Sequence, residues 1–172
     1  MLLDPLCPCG TQKHYADCCQ RYLDGHAIAP TAEALMRSRY TAYSKGNLDY
    51  LLHTQHPKTC KKNDSATLEQ TFKTTRWVSL TIVKTQQGRP HHKRGIVEFI
   101  ATHQEKSPDT RPSNGIPPAT LNQLHERSRF IQENNHWFYV DGDLLPPSQI
   151  FSAVSLGREL EGRPDVTLDT AL

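Results

Sequence analysis

Four of the chain's five cysteines fall between positions 7 and 19, as Cys7-Pro8-Cys9-Gly10 and then Cys18-Cys19. Four thiolates that close repel one another unless a cation sits among them, and a divalent ion with sulfur at about 2.3 Å turns the repulsion into a tetrahedral shell. Soft sulfur selects zinc. Pro8 stiffens the Cys-x-Cys turn, and Gly10 admits the left-handed backbone that lets amides point back at sulfur. The stretch Lys13-His14-Tyr15-Ala16-Asp17 is expected to make one helical turn that presents Cys18 and Cys19 from its far end. A filled four-thiolate zinc site keeps a formal charge of about −2, so Lys13, His14 and Arg21 are expected to offset it.

Disulfides are the competing account. A bond between adjacent Cys18 and Cys19 would be strained, and the other pairings would close only a tiny loop. Met1-Leu2-Leu3 runs straight into Asp4-Pro5, without the apolar stretch of a signal peptide. The expected compartment is therefore the reducing cytoplasm, and the expected cofactor one structural Zn2+ per chain on Cys7, Cys9, Cys18 and Cys19. His14 is the substitute ligand. Cys60, beside Lys61 and Lys62, reads as an ordinary free thiol, its alternative being a thiol of lowered pKa.

With 172 residues, 36% of them hydrophobic, the chain can bury one moderate core. The expected division is a zinc knuckle at 1–25, an α+β domain at 26–147 with a mobile insertion at 106–119, and a short helix with a polar tail at 148–172. A formal charge of +2 argues against a nucleic-acid partner, and no apolar run reaches the length of a membrane span.

Helices come first. Thr31 is placed to cap a helix whose apolar positions Leu35, Met36, Tyr40 and Tyr43 share a face and which Gly46 ends. Asn47 caps a second helix that buries Leu48, Leu51 and Leu52 and stops after His56, before Pro57. A third begins near Asp64 or Ser65, carries Leu68 and Phe72, and stops near Thr74. Strands follow. Trp77 to Thr85 sets Val78, Leu80 and Ile82 against Trp77, Ser79, Thr81 and Val83, and Gly95 to His103 carries apolar groups on both faces. Leu124 to Gln132 and His136 to Asp141 are joined by Glu133-Asn134-Asn135, which is hairpin chemistry. Ile150, Phe151, Val154 and Leu160 suggest the short terminal helix. The whole reads as an α+β domain with an antiparallel meander.

Specific motifs carry a resemblance. The opening Cys7-Pro8-Cys9-Gly10 with Cys18-Cys19 resembles the SEC-C motif, the zinc knuckle at the carboxyl end of the SecA translocase. Leu35 to Tyr40, Tyr50-Leu51 with His56-Pro57, Glu126 to Phe130 and Trp137 to Gly142 resemble the YchJ family of bacterial proteins, a match running from about Leu6 to Gly142. The resemblance implies an NTF2-like, or cystatin-like, cone in which a curved four-stranded sheet closes over helices. Family members often carry a second cysteine knuckle at the carboxyl end, whereas the tail from Ser148 has no cysteine.

NTF2-like enzymes use Asp, His and Tyr in the cone to move protons, and Tyr40, Tyr43, His53, His56, Glu98 and Asp141 lie in segments that could line one. Arg127 and Arg129 share a strand face, so with Arg37 or Arg39 they are candidates for an anion site. Their alternative is pairing with Glu98 or Glu126. Trp77, Trp137 and Tyr139 are candidates to stack a planar ligand or, alternatively, to pack the core. The ligand-site candidates are thus Arg37, Arg39, Tyr43, His56, Trp77, Arg127 and Arg129. His91-His92 read as a solvated basic tip, with metal capture as the alternative. The favoured function is a non-catalytic module, with a protein partner on the knuckle or a small ligand in the cone. An enzyme using the cone for acid–base chemistry is the runner-up. Four sulfurs leave no open coordination position, so the zinc is read as structural.

Overall fold

The computed structural model describes residues 5–61, 64–106 and 120–146. The expected insertion, beyond Lys106, and the expected tail helix fall outside the described residues. A π-helical turn, Ala16–Gln20, runs into α1, Arg21–Leu23. Then come α2 (Ala32–Lys45), α3 (Leu48–His53), α4 (Asp64–Thr74), β1 (Thr75–Gln87), β2 (Arg94–Glu105), β3 (Asn122–Glu133) and β4 (His136–Leu144). The strands form one antiparallel sheet in the order β1-β2-β3-β4, so the fold is the α+β cone expected.

Local chemistry sets the helix ends. The Thr31 hydroxyl accepts from the Ala34 amide at 3.0 Å, and the Asn47 side chain accepts from the Tyr50 amide at 3.0 Å. Each satisfies one of the orphan donors of a first turn. Gly46 closes α2 in the left-handed conformation. The second helix ends at His53, short of the expected His56, because the backbone then turns to pair Gln55 with Tyr139 as a parallel bridge on β4. Asn134 and Asn135, both at positive φ, join Glu133 to His136 as a two-residue hairpin.

The inner face of the sheet packs on α2. Leu35, Met36 and Tyr40 of that helix meet Leu80, Val97, Phe99, Ala101, Phe130 and Trp137 in one buried cluster. The face of β1 differs from the expected one. A bulge between Trp77 and Ser79 adds a residue to the strand, so Trp77, Leu80 and Ile82 turn inward while Val78 is 48% exposed. Simple alternation across that strand put Val78 with Leu80; the bulge resets the phase.

Candidate metal centre and cone pocket

Cys7 and Cys9 sit in the turn before the first helix, and Cys18 and Cys19 lie within the π-helical turn itself, not beyond its end as the spacing suggested. The four Sγ atoms lie within 4.8 Å of one another, Cys9 to Cys18 at 3.5 Å and Cys18 to Cys19 at 3.9 Å. A tetrahedral shell with sulfur at about 2.3 Å has edges of about 3.8 Å. The cluster therefore fits a metal site, and all the cysteines are free of disulfides. Among the described residues it is the one such group, and the His91 and His92 rings, 4.3 Å apart, do not form another.

The close-packed sulfurs perturb one another. Hydrogen bonds from Cys19 and then Cys9 hold the Cys7 sulfur well below the usual thiol range, while the bond with Cys7 pushes Cys19 up. Thiolates that close repel one another, and a dication among them would offset that repulsion. The Thr11 hydroxyl reaches both Cys9 Sγ at 3.3 Å and Cys18 Sγ at 3.2 Å.

The knuckle is docked on the domain with its sulfur side inward: Cys7, Cys9 and Cys19 are each at most 5% exposed. Arg37 on α2 donates to the Cys9 carbonyl at 2.8 Å and pairs with Glu33, and Thr41 Oγ1 lies 3.7 Å from Cys7 Sγ. Arg37 thus ties α2 to the knuckle, and Lys45 of the same helix lies 4.0 Å over the Tyr15 ring. Lys13 is exposed, and Arg21 donates to the Tyr22 hydroxyl. Gly10, at φ +78°, passes so close to β1 that a Cβ would sit 2.8 Å from the Leu80 carbonyl oxygen. No other residue fits that approach without displacing backbone.

Under the inner face lies a half-open cavity of about 440 Å³. Met36, Tyr40, Tyr43, Leu68, Trp77 and Leu124 supply much of its apolar wall, and Arg39, Gln55, Glu126, Ser128 and Tyr139 its polar part. Tyr40 and Tyr43 each pack a ring against Trp77, at 5.8 and 5.7 Å between centroids. Burial pushes the phenol of Tyr40 up to about 12 and raises that of Tyr43. Burial and then the Glu126 charge raise Tyr139 as well, so all three hydroxyls keep their protons at neutral pH. Tyr139 donates to Glu126 Oε1 at 3.1 Å, as Ser128 does at 2.6 Å.

Arg39 is 5% exposed, and desolvation lowers its pKa. Its Nη1 donates to the Leu51 carbonyl at 2.8 Å and to Thr54 Oγ1 at 2.7 Å, and Nη2 to Gln55 Oε1 at 3.3 Å. It thereby satisfies acceptors at the carboxyl end of α3, where a positive charge is favoured. Its guanidinium stacks 4.7 Å over the Tyr139 ring.

Of the expected ligand residues, Arg39, Tyr43 and Trp77 line this cavity. The others do not. Arg37 points to the knuckle because it lies two residues, about 200° of helix, from Arg39. Arg127 and Arg129 stand on the outer face of the sheet, opposite the cavity. There Arg127 pairs with Glu98, which also bonds His125, and Arg129 with Asp141 and Asp143. The expected convergence of helix and strand arginines on one anion site is therefore corrected. Glu98 and Asp141 belong to this outer network, and His53 is exposed. His56 is buried elsewhere, edge-on to Phe138, with its amide on the Tyr139 carbonyl and Nε2 3.5 Å from Glu133. Glu126 and Ser128 were missed as cavity residues, although strand parity carried the signal: they alternate in phase with Leu124 and Phe130, which face the core.

Residues 31–142 match the family described as YchJ, middle NTF2-like domain, and residues 6–21 match the SEC-C motif. A UPF0225 protein of Photorhabdus laumondii is 41% identical over 138 residues, covering 80% of this chain and 79% of its own. One from Streptomyces coelicolor is 41% identical over 141 residues, covering 82% and 97%. Among solved structures, a SEC-C motif containing protein from Rhodopseudomonas palustris superposes with a TM-score of 0.68 at 30% identity, over 83% of this chain and all of that one. Another from Psychrobacter arcticus gives 0.62 at 27% identity, over 86% and 88%. The knuckle and the cone thus occur together in similar proteins, and the chain belongs to the YchJ family, carrying a SEC-C motif ahead of an NTF2-like domain.

Proposed function

We propose that this chain is a cytoplasmic small-ligand-binding protein, with a zinc knuckle at 1–25 that braces a ligand-binding cone at 26–147. Zinc on Cys7, Cys9, Cys18 and Cys19 has a structural part in this reading. Cys7 Sγ lies against Thr41 of α2 and the Cys9 carbonyl accepts from Arg37, so the metal would brace the back of the helix whose other side, through Arg39, Tyr40 and Tyr43, walls the cavity. Four free thiols suit a reducing compartment. Among the described residues no helix is long and apolar enough to cross a membrane.

The observation that carries the reading is the cavity. Its size falls within the usual range for small-ligand sites, and it joins apolar walls to a few convergent polar groups. A cone serving only as a scaffold would fill that volume with side chains. The test is ligand-observed NMR of the zinc-loaded chain with a fragment library, repeated on Leu68→Trp, which places an indole in the cavity mouth. Fragments that bind the native chain should lose binding to this variant. A library with no binders, or binders indifferent to Leu68→Trp, overturns the reading.

A further inference from the structure

We propose that the cone selects organic cations, seating a flat apolar body against Tyr43 and Trp77 and an ammonium or amidinium group on Glu126. This rests on the cone being a ligand site and adds the chemistry it recognises.

The carboxylate is built in. Gly142 faces Ser128 across β3 and β4, and a Cβ at that position would overlap Glu126 Oε1 and lie 2.6 Å from its carboxyl carbon. Only glycine leaves room for Glu126 to lie there. Ser128 and Tyr139 both donate to Oε1, which fixes the group, while Oε2 accepts no hydrogen bond from the described residues. A half-buried carboxylate with one oxygen held and the other unengaged calls for a donor, and a charged donor most strongly.

The buried cation on the cavity wall is already engaged. Arg39 directs its Nη groups at the Leu51 carbonyl, Thr54 and Gln55 and lays its face on the Tyr139 ring, so it is poorly placed to clamp a carboxylate or phosphate. Tyr40, Tyr43 and Trp77 line the same cavity, and an aromatic ring offers a cation its face. Lys61 and Asp64, of opposite charge, also line it, and Asp64 Oδ2 accepts from the Lys61 amide at 2.7 Å.

Three probes share one body and differ in charge: phenethylamine, 3-phenylpropionate and propylbenzene. Their dissociation constants for the zinc-loaded chain are measured by ligand-observed NMR at neutral pH. The ammonium compound should bind at least tenfold more tightly than either of the others, and Glu126→Gln should erase that preference while propylbenzene affinity stays within about twofold. Gly142→Ala, which keeps the charge but displaces it, should reduce the preference; circular dichroism verifies that both variants are folded. If a variant fails to fold, the ranking of the three probes on the native chain decides. Equal binding of all three, or tightest binding of the carboxylate, overturns cation selection and leaves the cone a ligand site. No binding by any probe overturns cation selection too, while the fragment library decides the ligand site on its own.

Discussion

Three sulfurs of the knuckle and the guanidinium of Arg39 are all nearly inaccessible to solvent, yet they are kept there by different means. In the knuckle the polar atoms have mainly one another, at 3.5 to 3.9 Å, with two threonine hydroxyls beside them. Such a grouping fits a metal site. In the cone, Arg39 is satisfied by neutral oxygens at the end of α3 and by an aromatic face, and Glu126 by two hydroxyls. Those partners surround the core of Leu35, Phe99 and Phe130, a buried cluster separate from that of the cysteines. The difference leads to an expectation: the knuckle, whose buried cluster is its cysteines, should depend on a bound metal, whereas the cone has an apolar core of its own.

The largest effect should follow from removing the metal. Metal analysis of the native chain should return about one zinc, and Cys9→Ser should abolish its retention. Binding to isolated zinc fingers is worth about 10 to 16 kcal/mol, so the knuckle does not survive chelation. Hydrogen exchange should show residues 5–23 losing protection while β2 and β3 keep theirs. Because Arg37 and Gly10 tie the knuckle to α2 and β1, the amides nearest Cys9 and Leu80 should also loosen. A single cooperative collapse of the whole circular dichroism signal on chelation would break the distinction between the two regions.

Arg39→Ala comes next. It leaves the Leu51 carbonyl only the 3.4 Å bond from Thr54 Oγ1 and removes the stack on Tyr139, at a cost of about 3 kcal/mol in denaturant unfolding, with zinc content unchanged. A loss of zinc from this variant would show that the cone supports the knuckle as well as the reverse.

Gly10→Ala forces a side chain into a left-handed residue against the Leu80 carbonyl and should cost about 1 to 2 kcal/mol. Its signature is faster zinc exchange to a chelator, since the knuckle must stand off from β1. Unchanged exchange would mean that the knuckle does not need its seat on the sheet.

The smallest effect belongs to the outer face. Hydrogen bonds from His125 and then Arg127 hold Glu98 below the usual carboxylate range. A depressed folded-state pKa stabilises the fold above the ordinary carboxylate pKa, and that contribution fades as pH falls through the lowered value. Arg127→Ala should therefore flatten the acid limb of a stability-against-pH curve slightly, exposed pairs being weak. A change at pH 7 as large as that of Arg39→Ala would mean that the outer network carries the fold.

How much of this was readable in advance followed the range of the interactions. Thr31, Asn47 and Gly46 act within a turn of their own position, and the structure places all three as caps. The four-cysteine grouping was equally plain, because ligands within one short segment can meet without the rest of the chain. The order of strands followed from alternation and from the Asn134-Asn135 turn. The arginines were misjudged because their spacing was read without asking which neighbours shared their face. Arg127 and Arg129 occupy the parity opposite to Leu124 and Phe130, and that parity sends them outward.

The sequence alone therefore determined the cysteine site, the helix ends and the antiparallel meander, since each arises from residues close in the chain and from fixed periodicities of 3.6 and 2. The tertiary structure decided that Arg37 serves the knuckle while Arg39 serves the cone. It also decided that a bulge turns Trp77 inward, and that Gly142 makes a place for Glu126. Those outcomes depend on which surfaces meet when sheet and helix close on each other, and the free energy of that closure belongs to pairs of residues distant in sequence, such as Arg39 with Tyr139 and Glu126 with Gly142.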